Sequence, residues 1–216
     1  MLAVTACLIG IFGLLLIAEL LGKYRVLKGE YHRKFLHVAA GSFIAFWPWI
    51  ITWDQIQIIG LLMLAVMVAN RYLSFLNYRG RVGRATFGDI FLALAIFLLP
   101  FFTDNNIFFA LAMLEVALAD GLAAVFGITY GKNWGYKVFG HKKTVIGSMT
   151  FWIVSLCIVG TGLLPAHEII SFQSYLLVIL LAPPLLTAAE NISLLGIDNL
   201  VIPLLTVAIL NLAQTY

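Results

Sequence analysis

All thirteen Lys and Arg residues fall in three short segments, and long apolar stretches occupy the rest of the 216-residue chain. The segments are Lys23–Lys34, Arg71–Arg84 and Lys132–Lys143. A soluble protein distributes basic residues over its whole surface, so this clustering needs a physical cause. In a polytopic membrane protein, positive charge is retained in cytoplasmic loops and is kept out of spans and translocated loops. The clustering therefore predicts an integral, multi-pass membrane protein and marks one of its faces.

The composition agrees with a lipid environment. Hydrophobic residues make up 62% of the chain and charged residues only 11%, whereas soluble domains carry about 25% charged residues. The net charge of +3 suits a phosphate or a lipid head group, and we expect no nucleic-acid partner. Cys7 and Cys157 both lie in apolar runs, so they predict neither a disulfide framework nor a metal site.

Eight apolar runs predict an all-α bundle of seven or eight transmembrane helices. A helix needs about 20 residues to cross the hydrocarbon core, and as few as about 17 suffice. Several of the runs are short, which leaves the number of full spans at seven or eight. The predicted spans are approximately Leu2–Leu21, Leu36–Thr52, Ile58–Ala69, Phe87–Phe102, Ile107–Gly127, Val145–Leu164, Tyr175–Ala189 and Leu200–Ala213.

The loops between these spans predict the orientation. All thirteen cations fall in loops 22–35, 71–86 and 128–144, on the same side as loop 190–199. The opposite loops contain Asp54, Asp104 and Glu168 but no Lys or Arg. The positive-inside rule then places the basic face in the cytoplasm and both termini outside.

Aromatic residues lie near the predicted boundaries. Membrane proteins place Trp and Tyr at the two interfaces, and the residues expected to form such belts are Trp47, Trp49, Trp53, Trp134 and Tyr136. The segment Arg71–Arg84 interleaves aromatic residues with four arginines. It is predicted to lie in the interface as an amphipathic anchor, with a direct substrate role as the alternative.

The fifth span carries two carboxylates, Glu115 and Asp120. Ionisable groups inside a span are costly and usually mark function. Helical spacing places Ala117, Ala124 and Gly127 on the same face as Asp120, and such small residues let a backbone or a ligand approach the carboxylate. Function is therefore favoured for Asp120 over a role in helix packing alone. Glu115 points about 140° away, and its two interpretations stay equally open.

The third basic loop ends where a helix is predicted to begin. Glycines and lysines alternate from Gly131 to Lys143, and a Lys-Thr pair precedes Gly-Ser. Backbone N–H groups at a helix N-terminus, together with lysine ammonium groups, can bind phosphate. The alternative is an ordinary basic loop. The candidate phosphate ligands are Lys132, Lys142, Lys143, Thr144, Gly147 and Ser148.

The fourth loop on the basic face is acidic. Glu190 and Asp198 lie in it, and it contains no Lys or Arg. A hard cation such as Mg²⁺, bound by carboxylates and substrate phosphates, would account for this charge. Salt bridges to lysines of the neighbouring loop are the alternative.

The first basic loop ends in Arg33 and Lys34, shortly before His37. Glu30 and Lys34 are four residues apart, so they are expected to pair on a helix. Arg33 and Lys34 project in different directions, which suits binding of two oxyanions of a polyphosphate. His37 is either a packing residue or a proton carrier.

Taken together, four motifs resemble those of the CTP-dependent lipid kinases, a family that includes dolichol, polyprenol and phytol kinases and CTP-using diacylglycerol kinases. The resemblance runs from about Glu30 to Pro203. The motifs are Arg33-Lys34-x-x-His37 with Gly41, Asp120-x-x-Ala123-x-x-x-Gly127, Lys143-Thr144-x-x-Gly147-Ser148, and Glu190 with Asp198-Asn199-Leu200 and Pro203. Two positions depart from the family pattern, since Ile146 replaces a frequent Glu and Ile128 replaces a frequent Arg.

The resemblance implies a single membrane domain, residues 1–216, with a first helix and loop at about 1–29 and a kinase-like core at about 30–205. It implies transfer of the γ-phosphoryl group of a nucleoside triphosphate, CTP in this family, to a lipid alcohol. The implied catalytic residues are Arg33, Lys34, Asp120 and Lys143. The implied nucleotide ligands are Arg33, Lys34, Gly127, Lys132, Lys142, Lys143, Thr144, Gly147 and Ser148, and the implied Mg²⁺ ligands are Asp120, Glu190 and Asp198.

Two other functions are compatible with the pattern. The related phosphatidate cytidylyltransferases would make a CDP-lipid from a similar set of residues. A small transporter would use Glu115 and Asp120 as an ion relay, although a transport path needs polar groups near the midplane that are reachable from both sides. Product identity separates the first alternative from a kinase, because a kinase releases a nucleoside diphosphate and a cytidylyltransferase releases pyrophosphate.

Overall fold

The structure is a computed structural model, and it describes residues 2–73 and 87–214. Most of the described chain is helical. The helices are α1 (Leu2–Lys23), α2 (Glu30–Ala45), α3 (Trp53–Leu73), α4 (Gly88–Leu98), α5 (Asn106–Leu114), α6 (Asp120–Tyr130), α7 (Val145–Gly162), α8 (Phe172–Ile192) and α9 (Asp198–Gln214). An antiparallel hairpin, β1 (Gly135–Val138) and β2 (His141–Thr144), joins α6 to α7.

Helices α5 and α6 are two halves of one continuous helix, joined by a π-helical turn at Glu115–Ala119. The described residues therefore contain eight separate helices. Asn105 caps the start of α5, where its side-chain oxygen accepts hydrogen bonds from the backbone N–H groups of Ile107 and Phe108. Single π turns inside α-helices are often found at functional sites. This one lies directly before Asp120.

The α5–α6 helix is the centre of the bundle. Phe109 belongs to one apolar cluster with Trp47 and Ile56, whereas Phe108 belongs to a second cluster with Phe151. All five side chains are fully buried. The central helix thus joins the two halves of the core, and it carries Asp120 at the start of α6.

The architecture confirms the predicted all-α helical membrane bundle. Among the described residues, five helices are long and apolar enough to cross a membrane, namely α1, α3, α5–α6, α7 and α8. Helix α4 with its 3₁₀ extension and helix α9 are apolar but shorter. The small hairpin was not predicted, because strands of four residues have too little periodicity to be distinguished from a loop.

Several boundaries differ from the predicted spans. Helix α2 begins at Glu30 and ends at Ala45, so its first turns carry the charged residues that were placed in a loop. Helix α8 continues to Ile192, which places Glu190 in its last turns and not in the following loop. Helix α9 begins at Asp198. Charged residues at these helix ends face a polar cavity and not lipid, which apolar runs alone do not reveal.

The aromatic belt was predicted wrongly at Trp47. Its side chain is fully buried in the core, whereas Trp49 is 53% exposed and Trp134 is 65% exposed. The predicted anchor Arg71–Arg84 falls largely outside the described residues, and this holds for Arg79, Arg81 and Arg84. The guanidinium of Arg71 lies 4.3 Å from the ring centre of Phe87, so the last turn of α3 contacts the residue that precedes α4.

Candidate active site

One polar cavity of about 780 Å³ lies where α2, α6, the hairpin, α7, α8 and α9 converge. It collects all twelve residues that the sequence analysis named as catalytic residues, nucleotide ligands or metal ligands, although these come from distant parts of the chain. They are Arg33, Lys34, Asp120, Gly127, Lys132, Lys142, Lys143, Thr144, Gly147, Ser148, Glu190 and Asp198. Glu30, His141 and Asn199 also line it.

Three carboxylates form the floor of this site. One ligand oxygen from each of Asp120, Glu190 and Asp198 lies within 4.8 Å of the others. They project from the start of α6, the end of α8 and the start of α9. Asp120 and Glu190 are buried. Like charges held this close in a poorly hydrated place repel one another strongly, so the cluster needs positive charge near it.

Lys34 neutralises Asp120. Its ammonium group lies 2.5 Å from Asp120 Oδ2 and 3.5 Å from the Asp120 carbonyl oxygen. Both side chains are less than a tenth exposed. His37 Nε2 lies 3.5 Å from the same carboxylate oxygen and 2.9 Å from the carbonyl oxygen of Val116 in the π turn. Helix α2 is thereby tied to the centre of the bundle at the cavity.

Lys143 neutralises Glu190 in a similar way. Its ammonium group donates to Glu190 Oε1 at 2.5 Å and to the Glu190 carbonyl oxygen at 2.9 Å. The Lys143 side chain is 19% exposed, so this pair is more accessible than the first. The alternative of a salt bridge to a lysine of the neighbouring loop is therefore confirmed for Glu190. Binding of a divalent cation by the acidic segment stays a prediction.

Asp198 differs from the other two carboxylates. Its Oδ1 accepts a hydrogen bond from the backbone N–H of Asn199 at 3.0 Å, and among the described residues no basic group lies within ion-pairing distance of it. The Asn199 side-chain amide instead donates to the Gly88 carbonyl oxygen at 2.9 Å. Phe87 N–H bonds the Leu195 carbonyl oxygen nearby at 2.9 Å, so the start of α4 braces the loop that carries Asp198.

The other Lys and Arg residues that line the cavity form its rim. The Arg33 guanidinium pairs with Glu30 at 2.8 Å, whereas the ammonium group of Lys34 points inward to Asp120. Arg33 and Lys34 thus project in different directions as predicted, but the expected partner of Lys34 was wrong. Lys132 and Lys142 are exposed at the mouth of the cavity.

The start of α7 is partly occupied by internal contacts. Thr144 accepts a hydrogen bond from Gly147 N–H at 3.1 Å, and Val145 N–H bonds the Trp134 carbonyl oxygen at 2.9 Å. Gly127 lets α6 approach this end closely, since a Cβ atom there would lie 2.7 Å from Thr144 Oγ1. These contacts fix the hairpin and its lysines relative to α6.

Glu115 lies outside the cavity. It is fully buried, and its Oε1 accepts a hydrogen bond from Ser155 at 2.9 Å. Its Oε2 has no hydrogen-bond partner among the described residues. Glu115 and Asp120 therefore do not share one polar path in the described structure, which argues against the ion relay.

Sequence reasoning missed one polar group at the edge of the cavity. Asn191 Oδ1 accepts hydrogen bonds from Tyr136 at 2.5 Å and from Ser148 at 2.9 Å. Tyr136 had been predicted only as an interfacial aromatic. The one available signal was the position of Asn191 directly after Glu190, within the acidic segment.

The donor set fits a divalent cation. Carboxylate oxygens are the ligands that Mg²⁺ prefers, usually one or two of them with substrate phosphates and water. Three carboxylates against two lysines leave a formal charge of −1 at the floor, while Arg33, Lys132 and Lys142 surround the mouth. The cavity thus combines oxygen ligands for a metal with basic groups for phosphate.

Comparisons with known proteins agree with this arrangement. No family model matches the chain, and no solved structure matches it. The phytol kinase of Synechocystis sp. is 34% identical to it over 195 residues, which cover 88% of this chain and 82% of that protein. Such identity across most of both chains extends the likeness beyond the four motifs. The chain therefore belongs to the CTP-dependent lipid kinase family.

Proposed function

We propose that this protein is a membrane-embedded kinase that transfers the γ-phosphoryl group of CTP to the hydroxyl of an isoprenoid alcohol. The observation that carries the proposal is the carboxylate cluster of Asp120, Glu190 and Asp198, which lies in one cavity with five basic residues. Phosphoryl transfer depends mainly on positioning and on neutralising charge. The likeness to the phytol kinase of Synechocystis sp. supports an isoprenoid acceptor.

Mg²⁺ would be held by Asp120, Glu190 and Asp198. When bound there, it would supply charge neutralisation and orientation to the nucleotide phosphates. A dication bound to the three carboxylates would neutralise most of their charge. Each carboxylate would then be stabilised less by its lysine. Lys34 and Lys143 would then be available to the phosphate oxygens without leaving the cavity.

Basic residues of the rim would bind the triphosphate. Arg33 presents a planar guanidinium that can bind two phosphate oxygens at once, whereas Lys132 and Lys142 act as point charges. Thr144, Gly147 and Ser148 lie at the start of α7, where the helix dipole favours an anion. Gly127 supports this arrangement through the close approach of α6.

The acceptor hydroxyl must lose its proton during transfer. Asp198 is the candidate for this step, because among the described residues it is the member of the cluster without a basic partner. An unpaired carboxylate accepts a proton more readily than one that an ammonium group stabilises. The same carboxylate is also a candidate metal ligand, and the variant Asp198→Asn would remove both functions.

The active face would be cytoplasmic and both termini would lie outside. The support is the confinement of all thirteen cations to three segments of the predicted basic face. CTP would then reach the cavity from the cytoplasm, and the alcohol would come from the bilayer.

The test is an assay of purified protein with Mg²⁺ and a panel of lipid alcohols. We expect γ-labelled CTP to transfer its label to phytol or a related isoprenoid alcohol, with release of CDP. CTP is to be compared with ATP and GTP at equal concentration. Release of pyrophosphate with formation of a CDP-lipid from phosphatidic acid would instead establish the cytidylyltransferase, and absence of transfer to every alcohol would refute the kinase.

A further inference from the structure

A second depression, of about 480 Å³, lies between α7 and α8 directly beside the polar cavity. Each helix contributes one face to it at the spacing i, i+3, i+4 and i+7. From α7 these residues are Val145, Ser148, Met149 and Trp152, and from α8 they are Pro184, Thr187, Ala188 and Asn191. Tyr136 of the hairpin lines one end. We call this depression the α7–α8 groove.

The walls of the α7–α8 groove are apolar and accessible. Met149 is 56% exposed and Trp152 is 46% exposed. The polar side chains in the wall are satisfied internally, since Thr187 donates to the Pro183 carbonyl oxygen at 2.7 Å and Asn191 donates to the Thr187 carbonyl oxygen at 3.0 Å. What remains facing outward is hydrocarbon and an indole ring, which suits an apolar ligand.

One end of the groove is polar and continuous with the active site. The Tyr136 hydroxyl, the Ser148 hydroxyl and Asn191 Oδ1 lie within 2.9 Å of one another. Ser148 lines both the α7–α8 groove and the polar cavity. A molecule with a hydrocarbon chain and a terminal hydroxyl would therefore meet an apolar wall first and hydroxyl and amide groups next. The carboxylate cavity lies beyond them.

We propose that the α7–α8 groove binds the hydrocarbon chain of the acceptor alcohol and delivers its hydroxyl past Ser148 into the polar cavity. This inference rests on the proposed kinase function. The occupant is a single-chain alcohol, because one groove between two helices leads to one polar end. A two-chain acceptor such as diacylglycerol would need a place for its second chain outside the groove.

A substitution in the wall of the groove should affect a long alcohol more than a short one, which tests whether the groove binds the hydrocarbon chain. Met149→Trp would fill it, and the matched control is Ile153→Trp on the same helix, because Ile153 is 55% exposed but does not line the groove. For a twenty-carbon isoprenoid alcohol we expect Met149→Trp to raise KM about tenfold, which corresponds to the loss of roughly two buried methylene groups. KM for CTP and kcat/KM for a five-carbon alcohol should change by less than about twofold, as should all constants of Ile153→Trp.

If Met149→Trp impaired the reaction of the long and the short alcohol equally, or impaired neither, binding of the hydrocarbon chain in the groove would be contradicted. A direct measurement does not depend on how well the short alcohol reacts or how well the variant folds. Wild-type protein is irradiated with a twenty-carbon isoprenoid alcohol that carries a diazirine at its far end, and labelled peptides are identified by mass spectrometry. We expect label on the groove faces of α7 and α8, reduced by unlabelled alcohol and not by phosphatidylcholine.

The other outcomes have distinct meanings. If the protein phosphorylates the alcohol but the label lies outside the groove, the groove is not the binding site of the chain. The proposed kinase function is then unaffected. Equal competition by phosphatidylcholine means that the groove binds ordinary bilayer lipid, and cross-linked dimers mean that a second copy covers it. Both results would contradict the proposal. Failure of wild-type protein to phosphorylate any alcohol refutes the proposed function itself.

Discussion

The two lysine–carboxylate pairs of the cavity have the same chemistry but different supports. The ammonium groups of Lys34 and Lys143 each lie 2.5 Å from a carboxylate oxygen. Each also approaches the backbone carbonyl oxygen of the same acidic residue. Lys34 belongs to α2, which packs against the central helix, and its side chain is 6% exposed. Lys143 belongs to strand β2 of a two-stranded hairpin, and its side chain is 19% exposed.

This difference indicates that one pair is held rigidly and the other can move. We call Lys34–Asp120 the fixed pair and Lys143–Glu190 the adjustable pair. The Lys34–Asp120 pair is enclosed by packed helices, so moving either charge would disturb the bundle. The Lys143–Glu190 pair connects a short hairpin to the end of α8. Two-stranded hairpins are only marginally stable by themselves. We therefore expect Lys143 to move with the phosphates as they bind, and Lys34 to contact them from its place beside Asp120.

The variant Asp120→Asn breaks the fixed pair and should have the largest effect. It removes a candidate metal ligand and leaves the Lys34 ammonium group buried without a carboxylate. We expect kcat to fall about a thousandfold, as for loss of a preorganised charge in an active site, and the free energy of unfolding to fall by about 3 kcal/mol. Kinase assays and thermal denaturation in detergent measure the two effects.

A double variant separates the loss of stability from the loss of chemistry. Lys34→Met with Asp120→Leu replaces the buried pair by apolar groups of similar size, which is often neutral for stability. The double variant should be close to wild type in thermal stability and still inactive. Full kinase activity in a stable double variant would show that the fixed pair has no part in catalysis.

The variant Lys143→Met breaks the adjustable pair. We expect kcat/KM for CTP to fall about a hundredfold, because one charge at the phosphates is lost. Thermal stability should change less than in Asp120→Asn, since Lys143 is more exposed. The control is Lys137→Met, because Lys137 pairs with Lys142 across the same hairpin but does not line the cavity. Equal effects of the two methionine variants would mean that only the net charge of the hairpin matters.

The variant Tyr136→Phe sharpens the comparison by loosening the hairpin. It removes the hydroxyl that contacts Ser148 and Asn191, and a hydrogen bond of this type contributes about 1 kcal/mol. We expect kcat/KM for CTP to fall about fivefold, in line with that energy. Steady-state kinetics at several CTP concentrations are sufficient, and an unchanged kcat/KM would show that this contact does not position Lys143.

The variant Glu115→Gln should have the smallest effect. Glu115 lies five residues before Asp120 in the same continuous helix, but it bonds Ser155 in the core and does not line the cavity. A glutamine can still accept the Ser155 hydrogen bond through its amide oxygen. We expect kcat to change by less than about twofold, as is usual for a substitution that preserves its contacts. A loss comparable to that of Asp120→Asn would place Glu115 in the reaction.

The sequence predicted which residues lie together at the cavity better than it predicted their mutual contacts. Charge clustering identified one face, and the motifs named Asp120, Glu190 and Asp198, which the fold brings within 4.8 Å. Pairing was harder to foresee, because local spacing joins Glu30 to Lys34, whereas tertiary packing joins Lys34 to Asp120, 86 residues away. Short-range rules contain no information about such distant contacts.

Boundaries and burial were the other sources of error. Glu190 was assigned to a loop because a charged residue ends an apolar run, yet α8 continues to Ile192 since its last turns line a polar cavity. Trp47 was assigned to the interface because tryptophans favour it, but its side chain is buried in the same core cluster as Phe109. Hydropathy describes a preference for apolar surroundings and does not distinguish lipid from protein interior.

The most direct test of the metal assignment is the affinity of the carboxylate cluster for a divalent cation. Mn²⁺ in place of Mg²⁺ can be counted by electron paramagnetic resonance in the presence of a non-hydrolysable CTP analogue. We predict that wild-type protein binds Mn²⁺ with the analogue, and that Asp120→Asn, Glu190→Gln and Asp198→Asn each weaken this binding at least about tenfold. The control variant Glu115→Gln should bind as the wild type does. Unchanged Mn²⁺ binding in all three cluster variants would contradict the assignment of the cluster as the metal site of a lipid kinase.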